Sequence, residues 1–480
     1  MLFNSIDFAL FLPIVFLLYW FVVNKNVKHQ NALIFIVSYV FYGWWDWRFL
    51  SLILFSTIVD YTIGLLLSKE ENQSKRKLFL WISILVNLGF LGFFKYSNFF
   101  IENFVEAFSL FGAQIKPNTL NIILPVGISF YTFQTLSYTI DVYRRKLEPT
   151  KDFIVFGSFV SFFPQLVAGP IERATNLLPQ FYQIRKFNYS RAVDGLRQIL
   201  WGLFKKVVIA DNAAEYANLY FNNSADYSGS ALVLGAIFFT FQIYGDFSGY
   251  SDIAIGVSRL FGFDLKRNFA FPYFSRDIAE FWRRWHISLS SWFRDYLYIP
   301  LGGSIGGTWM KVRNTFIIFL ISGFWHGANW TFVVWGALNA VYFLPLLLLN
   351  KNRSNIGTVA ENSNLPTFKE FYNIILTFSL TVIAWVFFRA ENIEHALSYL
   401  SIIFSSSLFT IPVITLKMML ILVLIIFFIA IEWLGRTNEY AIEKLGFSKP
   451  RFIRVSFYYM LISMIFLFAG SNQQFIYFQF

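Results

Sequence analysis

Apolar residues run along this chain in long blocks, without the short alternation that predicts β-strands. The blocks lie at about residues 8–23, 30–45, 49–68, 78–99, 120–140, 153–169, 195–210, 229–258, 312–324, 329–349, 370–388, 396–431 and 455–471. A helix that crosses a membrane needs about 20 residues, so several blocks are too short or too long for one simple crossing. The pattern predicts an all-α, polytopic membrane protein with about 10–12 transmembrane helices and additional re-entrant pieces. No linker separates the blocks, and we expect one membrane-embedded domain over residues 1–480.

Composition supports the membrane interpretation. Hydrophobic residues make up 56% of the chain and charged residues only 14%, whereas a soluble protein carries about 25% charge. So little charge cannot cover a water-facing surface, which excludes soluble domains and disorder. The chain has no cysteine, so it forms no disulfide, no thiolate metal site and no acyl-thioester intermediate on its own side chains.

The net charge of +11 indicates membrane orientation and gives no reason to expect nucleic acid, because Lys and Arg collect in cytoplasmic loops. The clusters are Lys25 with Lys28, 69–77, 144–151 and 433–454. The first three are each separated by two apolar blocks, and we expect all four on the cytoplasmic side. No Lys or Arg precedes the first block, which predicts a retained span with its N-terminus outside. The tail at 473–480 is then expected outside or at the interface, as an aromatic anchor.

The stretch 281–303 combines arginines, tryptophans and a histidine in membrane-compatible sequence. Helical spacing would place one stripe on a common face, made of Trp282, His286, Leu289, Ser290 and Phe293. Arg283, Arg284 and Arg294 flank this stripe. Guanidinium groups beside aromatic rings suit a phosphate- or nucleotide-bearing ligand that approaches from the cytoplasm. The alternative is an interfacial amphipathic helix with snorkelling arginines.

A second polar cluster, 321–330, lies between two apolar blocks and contains His326. Of the four histidines, His29 and His395 belong to polar stretches and are expected to be solvated. His326 is the one inside an apolar segment, where Gly323 and Gly327 would let a ligand or another helix approach the backbone. Asn329, three residues on, is expected to hold the imidazole by a hydrogen bond. A neutral imidazole is a natural general base near pH 7, and the alternative is a hydrogen-bonded core histidine.

A third cluster, 242–252, places Asp246 and Asp252 among glycines and hydroxyl side chains. We expect it to break a span and to line a cavity, or to cap helix ends at the break. No metal site is predicted, since no histidine or third carboxylate stands at ligand spacing. The segment 163–173, with its prolines and glycine, predicts a broken helix or re-entrant turn.

Taken in order, these motifs resemble the membrane-bound O-acyltransferase superfamily, in particular its bacterial alginate O-acetylation branch. The resemblance extends over nearly the whole chain. The matching motifs are Phe3-Asn4-Ser5 with Phe8 and Pro13, then 39–44, 124–134, 169–171, 246–252, Asn268-Phe269, 281–286 and Trp325-His326-Gly327. A lone Trp-His-Gly would be weak, but the ordered set is specific.

The resemblance implies O-acyl transfer inside a central membrane funnel surrounded by re-entrant helices. His326 matches the family's catalytic histidine, and His286, forty positions upstream, matches a second polar position. Trp325, Asn329, Asp246 and Ser290 are then expected to support the site. Arg283, Arg284 and Arg294 are expected to bind the donor.

The donor implied is acetyl-CoA or another cytoplasmic acyl thioester, with no tightly bound cofactor. The acceptor implied is an extracytoplasmic polysaccharide, often reached through a partner with a Ser-His-Asp esterase-like site. The location implied is the bacterial inner membrane. No stretch of the sequence identifies the polysaccharide.

Three other functions remain open at this point. The nearest is D-alanyl transfer to teichoic acid from a carrier-protein thioester. A proton-coupled transporter or exporter would use His326 and Asp246 as a proton relay, although the chain shows no internal repeat of the transporter kind. A catalytically inactive scaffold fits poorly with two histidines in place.

Overall fold

The computed structural model describes residues 1–109, 119–120, 122–167, 169–470, 473 and 475–476, and in these residues all regular secondary structure is helical. This confirms the predicted all-α class. The chain divides into two compact units, the first formed by residues 1–192 and 257–266, the second by 193–256 and 267–480.

The first unit contains nine complete α-helices among its described residues. They are α1 Ile6–Leu17, α2 Val27–Gly43, α3 Leu50–Lys69, α4 Gln73–Leu91, α5 Ser97–Ser109, α6 Ile128–Tyr143, α7 Phe153–Ser161, α8 Phe163–Leu166 and α9 Ala174–Leu177. The helix breaks at Phe162, between α7 and α8, which confirms the broken helix expected near 163–173. Residue 168 of that segment lies outside the described residues.

The chain passes from the first unit into the second within the helix that follows. Helix α10, Tyr189–Leu203, continues into a π-helical segment, Phe204–Ala210. The remaining helices are α11 Asp211–Asn222, α12 Gly229–Leu260, α13 Ile278–Arg284, α14 Ile287–Phe293, α15 Gly307–His326, α16 Trp330–Leu348, α17 Phe368–Arg389, α18 Ile393–Ile403, α19 Leu416–Leu434 and α20 Arg451–Leu467.

Six helical segments of the described chain are long and apolar enough to cross a membrane. They are Trp47–Lys69, Gln73–Ser109, Gly229–Leu260, Trp330–Leu348, Phe368–Arg389 and Leu416–Leu434, and shorter apolar helices lie at Ile6–Val22, Phe153–Leu166 and Ile393–Ile403. In five of the six, less than half of the apolar window is buried inside the protein, as in lipid-facing helices, whereas α12 is 78% buried. The chain is a multi-pass membrane protein, and α12 is a core helix of it.

In the first unit the charged loops 69–77 and 144–151 lie at the same end. The Arg145 guanidinium pairs with Glu71 at 2.6 Å. Arg76 is buried and donates to the carbonyl oxygen of Tyr143 at 2.9 Å. Both loops therefore lie on one side of the membrane, as the charge pattern predicts.

The expected break at 242–252 is wrong, since α12 continues through both carboxylates. The π-helical segment before α11 supplies the reason. Lys206 Nζ lies 2.8 Å from Asp246 Oδ1, and Lys205 Nζ lies 2.5 Å from Asp252 Oδ2. The paired lysines neutralise the buried carboxylates, so the helix need not open to water. Gly249 allows the close approach, because a Cβ there would meet the carbonyl oxygen of Gly202 at 2.8 Å.

The C-terminal tail is not an interfacial anchor at the two apolar positions that the structure describes. Phe475 and Ile476 are buried in the second unit. The Ile476 amide donates to Asp246 Oδ2 at 2.7 Å, and the Phe475 ring lies 4.8 Å from that of Tyr250. Residues 471, 472, 474 and 477–480 of the predicted anchor lie outside the described residues.

Candidate active site

His326 is the last residue of α15 and lies in an aromatic enclosure. Its side chain belongs to a residue only 3% exposed. The imidazole contacts the rings of Trp325, Trp335 and Phe388 at centroid distances of 4.8, 5.2 and 5.3 Å. These rings come from α15, α16 and α17. The prediction of a buried imidazole in apolar surroundings is confirmed.

The two glycines beside His326 serve helix packing. A Cβ at Gly323 would collide with the carbonyl oxygen of Phe332, and a Cβ at Gly327 would collide with the Phe332 ring. Both contacts are made by α16. Of the two expected uses for these glycines, the structure shows the approach of another helix, which fixes the end of α15 where His326 lies.

His286 lies at the junction of α13 and α14, two helices of seven residues each that are too short to span a membrane. It adopts the left-handed conformation, with φ 45° and ψ 54°. The stripe expected to join Trp282 to Phe293 on one helical face is therefore wrong. The backbone of 268–270 reaches into the junction, since Ala270 N donates to Arg284 O and Ile287 N donates to Asn268 O, both at 2.9 Å. These outside partners replace the helical hydrogen bonds and hold a conformation that costs about 1–3 kcal/mol.

The His286 imidazole is fully enclosed by protein. It is 1% exposed, and its Nδ1 lies 3.1 Å from Asn268 Oδ1. The Phe247 ring of α12 packs edge-on against it at 4.6 Å. Burial lowers the pKa of the His286 imidazole to about 3, because a cation is disfavoured where water is excluded. The ring is therefore neutral.

Trp325 contacts both histidines. Its indole lies 6.1 Å from the His286 ring and 4.8 Å from the His326 ring. The two imidazoles predicted to work together thus contact one buried side chain, although forty positions separate them in sequence. The supporting role expected of Trp325 stays a prediction.

The predicted hydrogen bond between Asn329 and His326 is wrong. Helix α15 ends at His326, so the two residues are not one helical turn apart. The Asn329 side chain caps α16, where its Oδ1 accepts from Thr331 N at 2.9 Å. Its Nδ2 donates to the carbonyl oxygen of Glu391 at 2.8 Å.

The other expected supporting residues contact the site indirectly. Ser290 Oγ donates to the carbonyl oxygen of Trp285 at 3.4 Å and braces the junction before His286. Asp246 is buried in its ion pair with Lys206 and precedes Phe247, whose ring contacts His286. Asp246 therefore reaches the site indirectly, since the neighbouring Phe247 makes the contact with His286.

Two of the three arginines expected to bind the donor are held by partners within the protein. Arg283 donates to the carbonyl oxygens of Asn352 and Asn355, each at 2.7 Å. Arg284 pairs with Glu280 at 2.9 Å and donates to the carbonyl oxygen of Gly357 at 2.9 Å. Both therefore fasten the segment 352–357. Arg294 donates to its neighbour Asp295 at 2.6 and 3.2 Å, and its side chain is 62% exposed.

Sequence reasoning missed three residues that shape this region. Asn268 entered only as part of a matching motif, and its contact with His286 depends on a chain reversal that local periodicity does not reveal. Lys205 and Lys206 had a usable signal, because two adjacent lysines inside an apolar block call for buried partners. Those partners are Asp252 and Asp246.

Comparison with known proteins identifies the family. Residues 150–387 match the model of the membrane-bound O-acyltransferase family. The chain is 42% identical over 398 residues to "Probable alginate O-acetylase AlgI" of Pseudomonas aeruginosa. The matched region covers 82% of this chain and 73% of that protein. It is 36% identical over 429 residues to the peptidoglycan O-acetyltransferase of Helicobacter pylori, covering 83% and 79%. The teichoic acid D-alanyltransferase of Bacillus subtilis is more distant, at 26% over 289 residues, covering 57% and 71%.

The helical membrane fold and the match to this family thus define a membrane-embedded acyl-transfer enzyme. The chain belongs to the membrane-bound O-acyltransferase family, and it is an O-acyltransferase.

Proposed function

We propose that this enzyme transfers an acetyl group from acetyl-CoA, presented from the cytoplasm, toward hydroxyl groups of a polysaccharide outside the bacterial inner membrane. The observation that carries the proposal is the contact of His286 and His326 with the same indole, that of Trp325. Two buried imidazoles that contact one indole can supply a proton acceptor and a second polar group to an acyl transfer between a hydroxyl and a thioester.

The reaction that fits these groups balances without a cofactor. His326 accepts the proton of the acceptor hydroxyl as its oxygen attacks the carbonyl carbon of the thioester. The tetrahedral intermediate then collapses, the carbon–sulfur bond breaks, and the thiolate takes the proton back from the imidazolium. The products are the O-acyl ester and the free thiol, and His286 binds or polarises the reacting groups from the other side.

Similarity supports acetyl over D-alanyl as the transferred group. The relatives named as O-acetylating proteins are 42% and 36% identical to this chain, against 26% for the D-alanyltransferase. The acceptor class follows from the same names, alginate and peptidoglycan being polymers outside the cytoplasm. An extracytoplasmic partner with a Ser-His-Asp esterase-like site would complete delivery to the polymer.

The test is the acyl content of the surface polymer in strains that carry wild-type enzyme or His326→Ala. Mild alkali releases ester-linked groups, and chromatography distinguishes acetate from D-alanine. We expect acetate in the wild type and its loss in His326→Ala and His286→Ala, with equal membrane protein by immunoblot. His29→Ala and His395→Ala are the matched controls and should retain acetate. Release of D-alanine from the wild type would assign the rival donor, and full acetylation in His326→Ala would overturn the mechanism.

A further inference from the structure

The orientation of the Asn268 side-chain amide is fixed by its neighbours. The backbone N–H of Ser288 lies 3.2 Å from Asn268 Oδ1, and the Ser288 hydroxyl lies 2.9 Å from the same atom. A backbone N–H can only donate, so the amide atom that faces it must be the oxygen. The Nδ2 group then points the other way and donates to Ser251 Oγ of α12 at 3.2 Å.

This orientation determines which nitrogen of His286 carries the proton. His286 Nδ1 lies 3.1 Å from the same Asn268 oxygen. A side-chain amide oxygen can only accept, so Nδ1 must carry the hydrogen of that bond. The buried ring is neutral and therefore has a single N–H. The lone pair is then on Nε2.

The main chain of Asn268 secures the same arrangement. Its carbonyl oxygen accepts the Ile287 amide at 2.9 Å, immediately after His286 in its left-handed conformation. Asn268 is itself 1% exposed, so no water competes for these bonds. One residue thus holds both the backbone and the ring of His286.

From these contacts we propose that Asn268 is a positioning residue that fixes His286 as the Nδ1–H tautomer, so that Nε2 meets the reacting groups as a proton acceptor. The inference rests on the proposed role of His286 in acyl transfer. It also decides between the two roles open to His286. A lone pair on Nε2 accepts a hydrogen bond from a hydroxyl or a thiol, and it cannot polarise the carbonyl oxygen of the thioester by donating one.

The first test reads the tautomer directly. Only four histidines are present, so ¹⁵N-histidine labelling of the full-length protein in lipid nanodiscs gives few signals, and His286→Gln identifies those of His286. We expect a protonated Nδ1 and an unprotonated Nε2 in the wild type and in Asn268→Asp, which keeps an acceptor at this position. In Asn268→Leu the preference should be lost. A wild-type spectrum with the proton on Nε2 overturns the inference, whether or not any variant folds.

The second test measures acyl transfer by the same proteins. The wrong tautomer in a catalytic histidine can cost about 10⁴-fold in kcat, so we expect Asn268→Leu to lose at least about 10²-fold with little change in the donor KM. Asn268→Asp should recover most of that loss. Ser291→Ala, on the same short helix as Ser288 and with its hydroxyl donating to the carbonyl oxygen of Ser288 at 3.0 Å, is the control and should be unchanged.

The outcomes of these tests distinguish a failure of this inference from a failure of the proposed function. Full activity in His286→Ala would remove the proposed role of His286 and the inference with it. Loss of activity in His286→Ala but full activity in folded Asn268→Leu would overturn the inference alone. If Asn268 acts through His286, the double variant is no slower than His286→Ala, and a further loss in the double variant contradicts the inference.

Discussion

The indole of Trp325 and the imidazole of His286 lie 6.1 Å apart, ring centre to ring centre, with a tilt of 59°. Trp325 is also the sequence neighbour of His326, whose ring it contacts at 4.8 Å. One buried aromatic ring is therefore in contact with both histidines. Because α15 carries both Trp325 and His326, any shift of this helix end moves both contacts together.

This relationship predicts a graded response at Trp325. Trp325→Phe keeps an aromatic ring against both histidines, and we expect it to retain a large part of the turnover. Trp325→Ala opens a cavity that lowers the free energy of unfolding by about 3–5 kcal/mol. It also removes the aromatic ring that both imidazoles contact. Turnover per folded enzyme should then fall about 10²-fold, since small misplacements of reacting groups cost that much. The assay is acyl transfer by purified protein, normalised to the folded fraction from gel filtration in detergent.

The exposed Trp309 supplies the matched control, because it lies on the same helix and is 74% exposed. Trp309→Ala should leave turnover unchanged. Equal losses from Trp309→Ala and Trp325→Ala would mean that the effect is general to α15 and does not depend on the contacts of Trp325 with the two histidines.

The buried ion pairs of Lys206 predict a large effect on stability. Lys206 Nζ lies 2.8 Å from both Asp246 and Asp211, and all three side chains are less than 10% exposed. Lys206→Met would leave two carboxylates buried without a cation, which costs about 3–5 kcal/mol. We expect a clear drop in the thermal midpoint of the purified protein. Lys417→Met, which breaks an exposed pair with Glu215, should cost less than about 1 kcal/mol, and similar small shifts for both variants would contradict the assigned burial.

The parts of the fold that the sequence predicts well are those set by local composition. Blocks such as 49–68 and 370–388 become α3 and α17 with ends displaced by only a few residues, because the thickness of a membrane and the rise of a helix fix their length. His326 and His286 were found for a related reason. A histidine in an apolar segment is costly to bury, so its rarity carries information.

The parts that the sequence does not predict depend on partners far along the chain. Helical periodicity continues through 281–293, and the break at His286 exists only because the backbone of 268–270 enters the junction. Likewise, α12 stays intact because Lys205 and Lys206 arrive from another segment to pair with its carboxylates. Asn329 looked like a partner of His326 by spacing, but the end of α15 removes that spacing.

The contrast between Arg284 and Arg294 predicts two different phenotypes. Arg284 holds Glu280 and the carbonyl oxygen of Gly357, with its side chain 15% exposed. Arg284→Ala should therefore lower stability by about 1–3 kcal/mol, with the donor KM of the surviving enzyme nearly unchanged. The exposed Arg294 is the better candidate for donor phosphates. Arg294→Ala should raise the donor KM with kcat and thermal midpoint nearly constant.

Both variants are measured with the same two readouts, the thermal midpoint and the KM for acetyl-CoA. A raised KM in a fully stable Arg284→Ala protein would restore Arg284 to the donor site. A normal KM in Arg294→Ala would remove Arg294 from it.

The membrane orientation is the last prediction, and the absence of cysteine makes its test clean. The loop 69–77 meets the loop 144–151 through Arg145 and Glu71, so one labelled site reports on both positive clusters. Positive loops remain in the cytoplasm, and we expect an impermeant maleimide to miss Ser74→Cys in intact cells and to label it after permeabilisation.

Ser405→Cys is the matched site. It is exposed between α18 and α19, and α19 ends at the cationic stretch 433–454, so Ser405 should lie outside and react in intact cells. Labelling of Ser74→Cys in intact cells, with protection of Ser405→Cys, would show the opposite orientation. The acyl donor would then have to enter from the other side of the protein.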